Sequence, residues 1–141
     1  MSRVFFDTNL FIYFIEDSDG RGKQVADLID RMSERKDEVV TSALTLGELL
    51  VKPLAESDNE LAGAYERTLN SPGISVVSFD RHCARIFAAL RQDRSIKPAD
   101  AIQLSCAGAA RCDLFVTNDD RLSRKITPGI QFITSLDRVP I

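Results

Sequence analysis

The sequence predicts an α/β chain, a three-layer α/β/α sandwich around a central, mainly parallel sheet of about five strands. Two patterns carry this expectation. Short, uniformly apolar runs recur along the chain, and segments of helical period separate them. The size agrees: 141 residues, 44% hydrophobic and 28% charged, match one domain spanning residues 1–141 with a single sizeable core.

The elements follow in order. Val4-Phe5-Phe6 is too short and too apolar for anything but a buried strand. Val25, Leu28, Ile29 and Met32 fall at i, i+3, i+4 and i+7, the apolar stripe of a helix. Val39-Val40 is the second strand. Leu61, Ala64, Tyr65 and Leu69 give a weaker helical stripe, which Ser57-Asp58-Asn59-Glu60 would open as a capping box. Ile74 to Val77 forms the third strand, and Cys83, Ile86, Phe87 and Leu90 repeat the helical spacing. Pro98 to Arg111 is rich in small apolar residues, so this helix can lie close against a sheet. Leu114-Phe115-Val116 is the fourth strand and Phe132-Ile133 the fifth. The dense run Leu10 to Ile15 must partly enter the core; the remainder, with Phe11 or Phe14, could form an exposed patch for a partner.

Composition excludes several functions. With 18 basic and 21 acidic residues the net charge is −3, unlike that of a strongly basic nucleic-acid binder. The charge is uneven: residues 80–125 hold nine Lys/Arg against six Asp/Glu. Three cysteines without a CxxC pair, and a lone His82, cannot readily assemble a zinc site or a His-dependent triad. The cysteines read as small buried hydrophobes. Asp7 interrupts the first apolar run, so no signal peptide is expected, and no apolar stretch approaches the ~18 residues of a membrane span. The expected compartment is a reducing cytoplasm.

Four acids occupy one kind of place. Asp7 follows the first strand, in Asp7-Thr8-Asn9. Glu48 closes the segment Thr41 to Glu48 that leaves the second strand. Asp100 lies in the first turn of the Ala-rich helix, and Asp119 follows the fourth strand in Thr117-Asn118-Asp119. Each has a purely structural reading. Asp7 and Asp119 could cap helices, Thr45-x-x-Glu48 has capping-box spacing, and Asp100 could complement a helix N-terminus. Together they point elsewhere, because loops leaving parallel strands share one rim. Carboxylates gathered there without a basic partner would be forced to take up protons. Divalent cations resolve that conflict, and oxygen-only donors favour Mg²⁺ or Mn²⁺ over zinc. Such a site suits phosphate chemistry.

At these residues nearly the whole chain resembles the PIN-domain family, and within it the VapC-type toxins of toxin–antitoxin pairs. The matching motifs are Asp7-Thr8-Asn9, Glu48 with Ser42 and Thr45 before it, Ala99-Asp100 with Ala101-Ile102 after it, and Thr117-Asn118-Asp119. The resemblance implies a PIN-like sheet and a Mg²⁺- or Mn²⁺-dependent endoribonuclease acting as the toxin of a type II pair. Water would attack the phosphodiester, leaving a 5′-phosphate and a 3′-hydroxyl. By position, Asp7 and Asp100 would be the main metal ligands, with Glu48 and Asp119 completing the catalytic and metal-binding set. Thr117 and Asn118 would orient Asp119, and Asn9 would hydrogen-bond Asp7 or a water, or cap the helix. The resemblance also implies a homodimer and a cognate antitoxin.

The nearby cations Arg91, Arg94, Lys97, Arg121, Arg124 and Lys125 could contact phosphates, with Arg94, Lys97 and Arg121 the foremost candidates; a solvated helix face is the alternative. The chain has no Trp and no aromatic interleaving, so a structured RNA such as tRNA or rRNA is the expected substrate. Three other readings compete. A receiver-type phosphoacceptor domain would use Asp80 but lacks a Lys after the fifth strand. A haloacid-dehalogenase phosphatase would need an acid where Asn9 stands. A catalytically silent PIN module would bind RNA or protein.

Overall fold

Three consecutive residues of the first strand decide the layering. In the computed structural model, which describes all 141 residues, β1 (Arg3–Phe6) sends Val4 and Phe6 to one face of the sheet and Phe5 to the other, all fully buried. β2 (Glu38–Ser42), β3 (Ile74–Val77), β4 (Leu114–Val116) and β5 (Phe132–Thr134) complete the sheet. Every neighbouring pair is parallel, in the order β3-β2-β1-β4-β5. Phe5 lies in register with Val40 and Phe115, and the two rings stack with centroids 5.0 Å apart.

One face is covered by α1 (Thr8–Glu16), α2 (Gly22–Arg35), α3 (Ala43–Ala55) and α4 (Asn59–Leu69). Their buried residues Leu10, Phe11, Leu28, Met32, Leu49 and Tyr65 pack on Val4, Phe6, Val39 and Val116. The other face carries α5 (Arg81–Leu90) and α6 (Pro98–Ala109), whose Cys83, Ile86, Leu104 and Ala107 pack on Phe5, Val40 and Phe115. Both faces are therefore covered, as an all-parallel sheet requires. All three cysteines are free and buried, and burial pushes the Cys106 and Cys112 thiols up to about 12, so neither is a nucleophile. No helix is long and apolar enough to cross a membrane.

Three local expectations are corrected. Ser57 has φ 54°, a left-handed conformation that an N-cap does not adopt; Asp58 caps α4 instead, accepting from Leu61 N–H at 3.0 Å. Ser42, not Thr45, caps α3, so Thr45 and Glu48 form no capping box. Phe11 is 1% exposed and belongs to the core, so it cannot contribute to a partner surface. The strand order also sets aside the receiver reading, which requires 2-1-3-4-5. Asp80 caps α5 through Cys83 N–H at 3.0 Å.

The C-terminal part of α6 meets the loop that precedes β5 through a close backbone approach. A Cβ on Gly108 would overlap the Pro128 carbonyl, and Gly129, at φ +88°, faces the Gly108 carbonyl. Neither backbone can yield as a flexible side chain would. Gly108→Ala should cost roughly 1–3 kcal/mol and lower Tm by about 3–10 °C in thermal melts.

Candidate metal centre

The sheet reverses direction of growth between β1 and β4. This is the switch point where parallel α/β sheets open a crevice beyond the carboxyl ends of their strands. Asp7 leaves β1 there and Asp119 leaves β4. Glu48 arrives from α3 on one face and Asp100 from α6 on the other. The four acids thus converge from the rim and both helical layers.

Asp7 is the most constrained of them. Its Oδ1 accepts the Thr8 N–H at 2.8 Å, capping α1, and its Oδ2 accepts the Thr117 hydroxyl at 2.7 Å. Thr117 is buried and in turn accepts the Asp119 N–H at 3.1 Å. Burial pushes the Asp7 carboxyl up. The Thr117 and Thr8 hydrogen bonds oppose that shift, and the charges of Asp100 and Glu48 add to it. Asp100 is raised too, first by burial and then by Asp119, with Arg121 and Lys97 pulling the other way.

Glu48 is exposed, and its Oε1 accepts the Thr8 hydroxyl at 2.7 Å. Beneath it lies a largely buried polar cluster in which Gln103 and Thr41 join the motif residues Thr8, Ser42 and Thr45. The amide nitrogen of Gln103 donates to Thr45 at 2.7 Å and to Thr8 at 3.3 Å, while its Oε1 accepts the Ser42 hydroxyl. The Thr41 hydroxyl donates to the Phe6 carbonyl at 2.9 Å and lies 2.9 Å from the Thr45 hydroxyl. Gln103 follows Asp100 by three residues on α6 and so shares its helix face, which is the one sequence signal that could have found it.

Other expectations fare differently. Asn118 supports the turn rather than the Asp119 side chain, donating to the Tyr13 hydroxyl at 3.3 Å and accepting the Leu136 N–H at 3.2 Å. Asn9 is exposed within α1 and bonds neither Asp7 nor the helix start, because Asp7 is itself the cap. The acidic set is not free of a basic partner. Arg121 pairs with Asp119 through two guanidinium nitrogens, Nε at 2.9 Å and Nη2, and its Nη2 reaches Asp100 Oδ2 at 3.6 Å. It holds Asp119 below the usual carboxylate range. No three of the acids stand close enough together to enclose one ion by themselves. Of the remaining cations, Arg94 and Lys97 are exposed at the rim. Arg91 donates to the Ile96 carbonyl at 2.6 Å, and Lys125 pairs with Asp93 at 2.8 Å.

The donor set still fits a hard divalent ion. Asp7 and Asp100 present oxygen only, and burial with like charge leaves both carboxyls short of compensation. Mg²⁺ asks for one or two carboxylates plus waters and phosphates, not a closed protein cage.

A family model for the PIN domain matches residues 4–126. The chain belongs to the PIN-domain family. Solved structures agree on the fold of this PIN domain. It is similar to VapBC2 from Rickettsia felis, bound to a DNA fragment from its promoter, at 17% identity and TM-score 0.76, covering 94% of this chain and 98% of that one. VapBC-5 from Mycobacterium tuberculosis is 20% identical with TM-score 0.62, over 96% and 99% of the two chains. VapC20 from the same organism, a Sarcin-Ricin loop cleaving toxin, is 16% identical with TM-score 0.66, over 89% and 99%. No curated protein matches this PIN domain by sequence.

The raised Asp100 carboxyl has a stability consequence. A carboxyl held above its unfolded value of 3.8 destabilises the fold once ionised, so stability falls as pH rises through the folded value. In metal-free buffer Asp100→Asn should therefore melt a few degrees above wild type at pH 7, and the difference should close as pH falls towards 4. Thermal melts across that range in EDTA check it.

Proposed function

We propose that this PIN domain is a Mg²⁺- or Mn²⁺-dependent endoribonuclease and the toxin of a type II toxin–antitoxin pair. The observation that carries the reading is the arrival of four acids around the rim of the β1/β4 switch point, with Asp7 and Asp100 raised first by burial and then by neighbouring acids. Family membership supports nuclease chemistry, and the neighbouring VapBC structures support an antitoxin as partner. A second copy of the chain and a structured RNA are the other partners this reading expects.

Asp7 and Asp100 would hold the ion, with Glu48 and Asp119 acting through waters or a second ion. A divalent cation supplies Lewis-acid activation of the phosphoryl group and of the attacking water. The chain's own contribution is placement. Thr117 and the Thr8 N–H fix the rotamer of Asp7, and Thr8 fixes that of Glu48. Water adds to phosphorus, the bond to the 3′-oxygen breaks, and the proton follows the leaving oxygen. Glu48, exposed, and Asp119, half-buried in the turn after β4, would take up the water's proton.

One observation favours a silent binding module: Arg121 already occupies the acids. Its side chain is exposed and leaves from a short turn, so the pair is one that solvent screens and a cation can replace. Arg121→Ala should tighten Mn²⁺ binding several-fold in calorimetry. Unchanged affinity would show that the arginine does not compete with the ion.

The test of activity is 5′-end mapping of total RNA incubated with the antitoxin-free protein and Mg²⁺. New 5′-phosphate ends should appear, vanish with EDTA, and fall roughly a thousandfold in Asp7→Asn, since charge stabilisation by the ion is worth several kcal/mol. Full activity in a folded Asp7→Asn protein would sink the metal assignment.

A further inference from the structure

A cleft of about 1060 Å³ opens beside the acids. It lies between the turn that leaves β4, Asn118 to Arg124, and the end of β5 with the turn that follows it, Ile133 to Arg138, with Arg21 closing one side. Four arginines, Arg21, Arg121, Arg124 and Arg138, line it against two acids, Asp120 and Asp137. One of those acids is already taken: Asp137 accepts from Gln24 at 2.7 Å and lies 3.5 Å from Arg21. Arg124 and Arg138 are exposed and form no ion pair. Arg21 is braced over the Tyr13 ring at 5.8 Å, and the Tyr13 hydroxyl accepts from Asn118 of the Thr117-Asn118-Asp119 run. The cleft is therefore built onto the same turn that carries Asp119.

We infer that this cleft binds the sugar–phosphate backbone of the RNA next to the scissile phosphate, with Arg124 and Arg138 as its phosphate contacts and Arg21 as a braced third. The inference rests on the nuclease reading and adds the path of the substrate. Three features identify the ligand chemistry. Only one lining residue is hydrophobic, Ile133, and no aromatic faces the space, so base stacking is not what it offers. Guanidinium groups match phosphate geometry through paired N–H donors, and Ser123 and Ser135 add hydroxyls at the wall. The volume stands at the upper end of the roughly 300–1,000 Å³ range of ligand pockets, and the cleft is open along one side, as a chain passing through it requires. Arg121 stands at the junction, lining the cleft while pairing with Asp119, so a strand leaving the acids passes it first.

Two of these residues were out of reach of sequence proximity. Arg21 and Arg138 lie far from Asp100 and Asp119 in the chain, and only the parallel sheet brings their turns together.

The experiment measures binding of fluorescently labelled bulk tRNA to the full chain in EDTA, by anisotropy across a NaCl series. The variant is Arg124→Gln with Arg138→Gln. The control removes the same charge at the opposite end of the strands, Lys36→Gln with Arg67→Gln. At about 100 mM NaCl the cleft variant should bind roughly tenfold more weakly, with the log–log salt slope reduced by about 1.5, while the control behaves as wild type. Equal binding by the cleft variant and wild type would overturn the inference, as would an equal loss in the control. Binding of poly-glutamate in place of tRNA would also overturn it and point to an acidic protein partner. The 5′-end mapping above separates the two levels: cleavage by wild type, with tRNA binding unaffected in the cleft variant, removes the cleft assignment and leaves the nuclease standing.

Discussion

The Thr117 hydroxyl is the contact on which the site depends. It has one proton. The Asp119 N–H can only donate, so Thr117 must accept from it and spend its own proton on Asp7. One buried side chain thereby fixes the carboxylate leaving β1 and the backbone leaving β4, on the two strands that flank the switch point. The Thr8 N–H occupies the other Asp7 oxygen. These two donors favour the ionised form at a place where burial disfavours it; burial is the larger effect, so the carboxyl stays raised.

The second requirement is that acids on opposite faces of the sheet stay in register with the rim. Gln103 meets it. From α6 it reaches past the end of the sheet to Ser42, Thr45 and Thr8, which belong to the cap and first turn of α3 and the first turn of α1. A buried amide satisfied on both its oxygen and nitrogen fixes separation and rotation together, where apolar packing fixes separation alone. Glu48 inherits its position through Thr8, so the placement of an exposed acid traces to a buried glutamine.

Much of this was legible in the sequence. The five apolar runs become the five strands, all parallel; the three central ones, β2, β1 and β4, are buried between the helical layers, while the edge strands β3 and β5 are partly exposed. The four acids stand on the predicted elements for the same reason: a strand end and a helix start are visible as a change of hydrophobic period. Caps were less legible. Ser57 and Thr45 satisfy a spacing rule, yet Asp58 and Ser42 take the role, because cap choice depends on a backbone angle that the spacing does not encode. The reach of side chains was legible least of all. Gln103, Arg21 and Arg138 meet the site only through the folded sheet, and Phe11 is core because its stripe of α1 faces Phe6, with ring centroids 5.9 Å apart.

Arg121 shows how a structural reading and a functional reading can both hold. Asp119 caps the short turn after β4 through the Arg121 N–H at 3.0 Å, so its carboxylate is already oriented before any charge is considered. The guanidinium two residues on closes over that same carboxylate, which the cap has already oriented. The pairing is therefore a consequence of turn geometry, and it lowers the Asp119 pKa while Asp7 and Asp100 rise. Three acids in one crevice are thus held in two different states of compensation. On the nuclease reading a phosphate offers Arg121 a second anion and a divalent ion offers Asp119 a second cation. Substrate and metal would then meet opposite halves of one ion pair, and each would make room for the other.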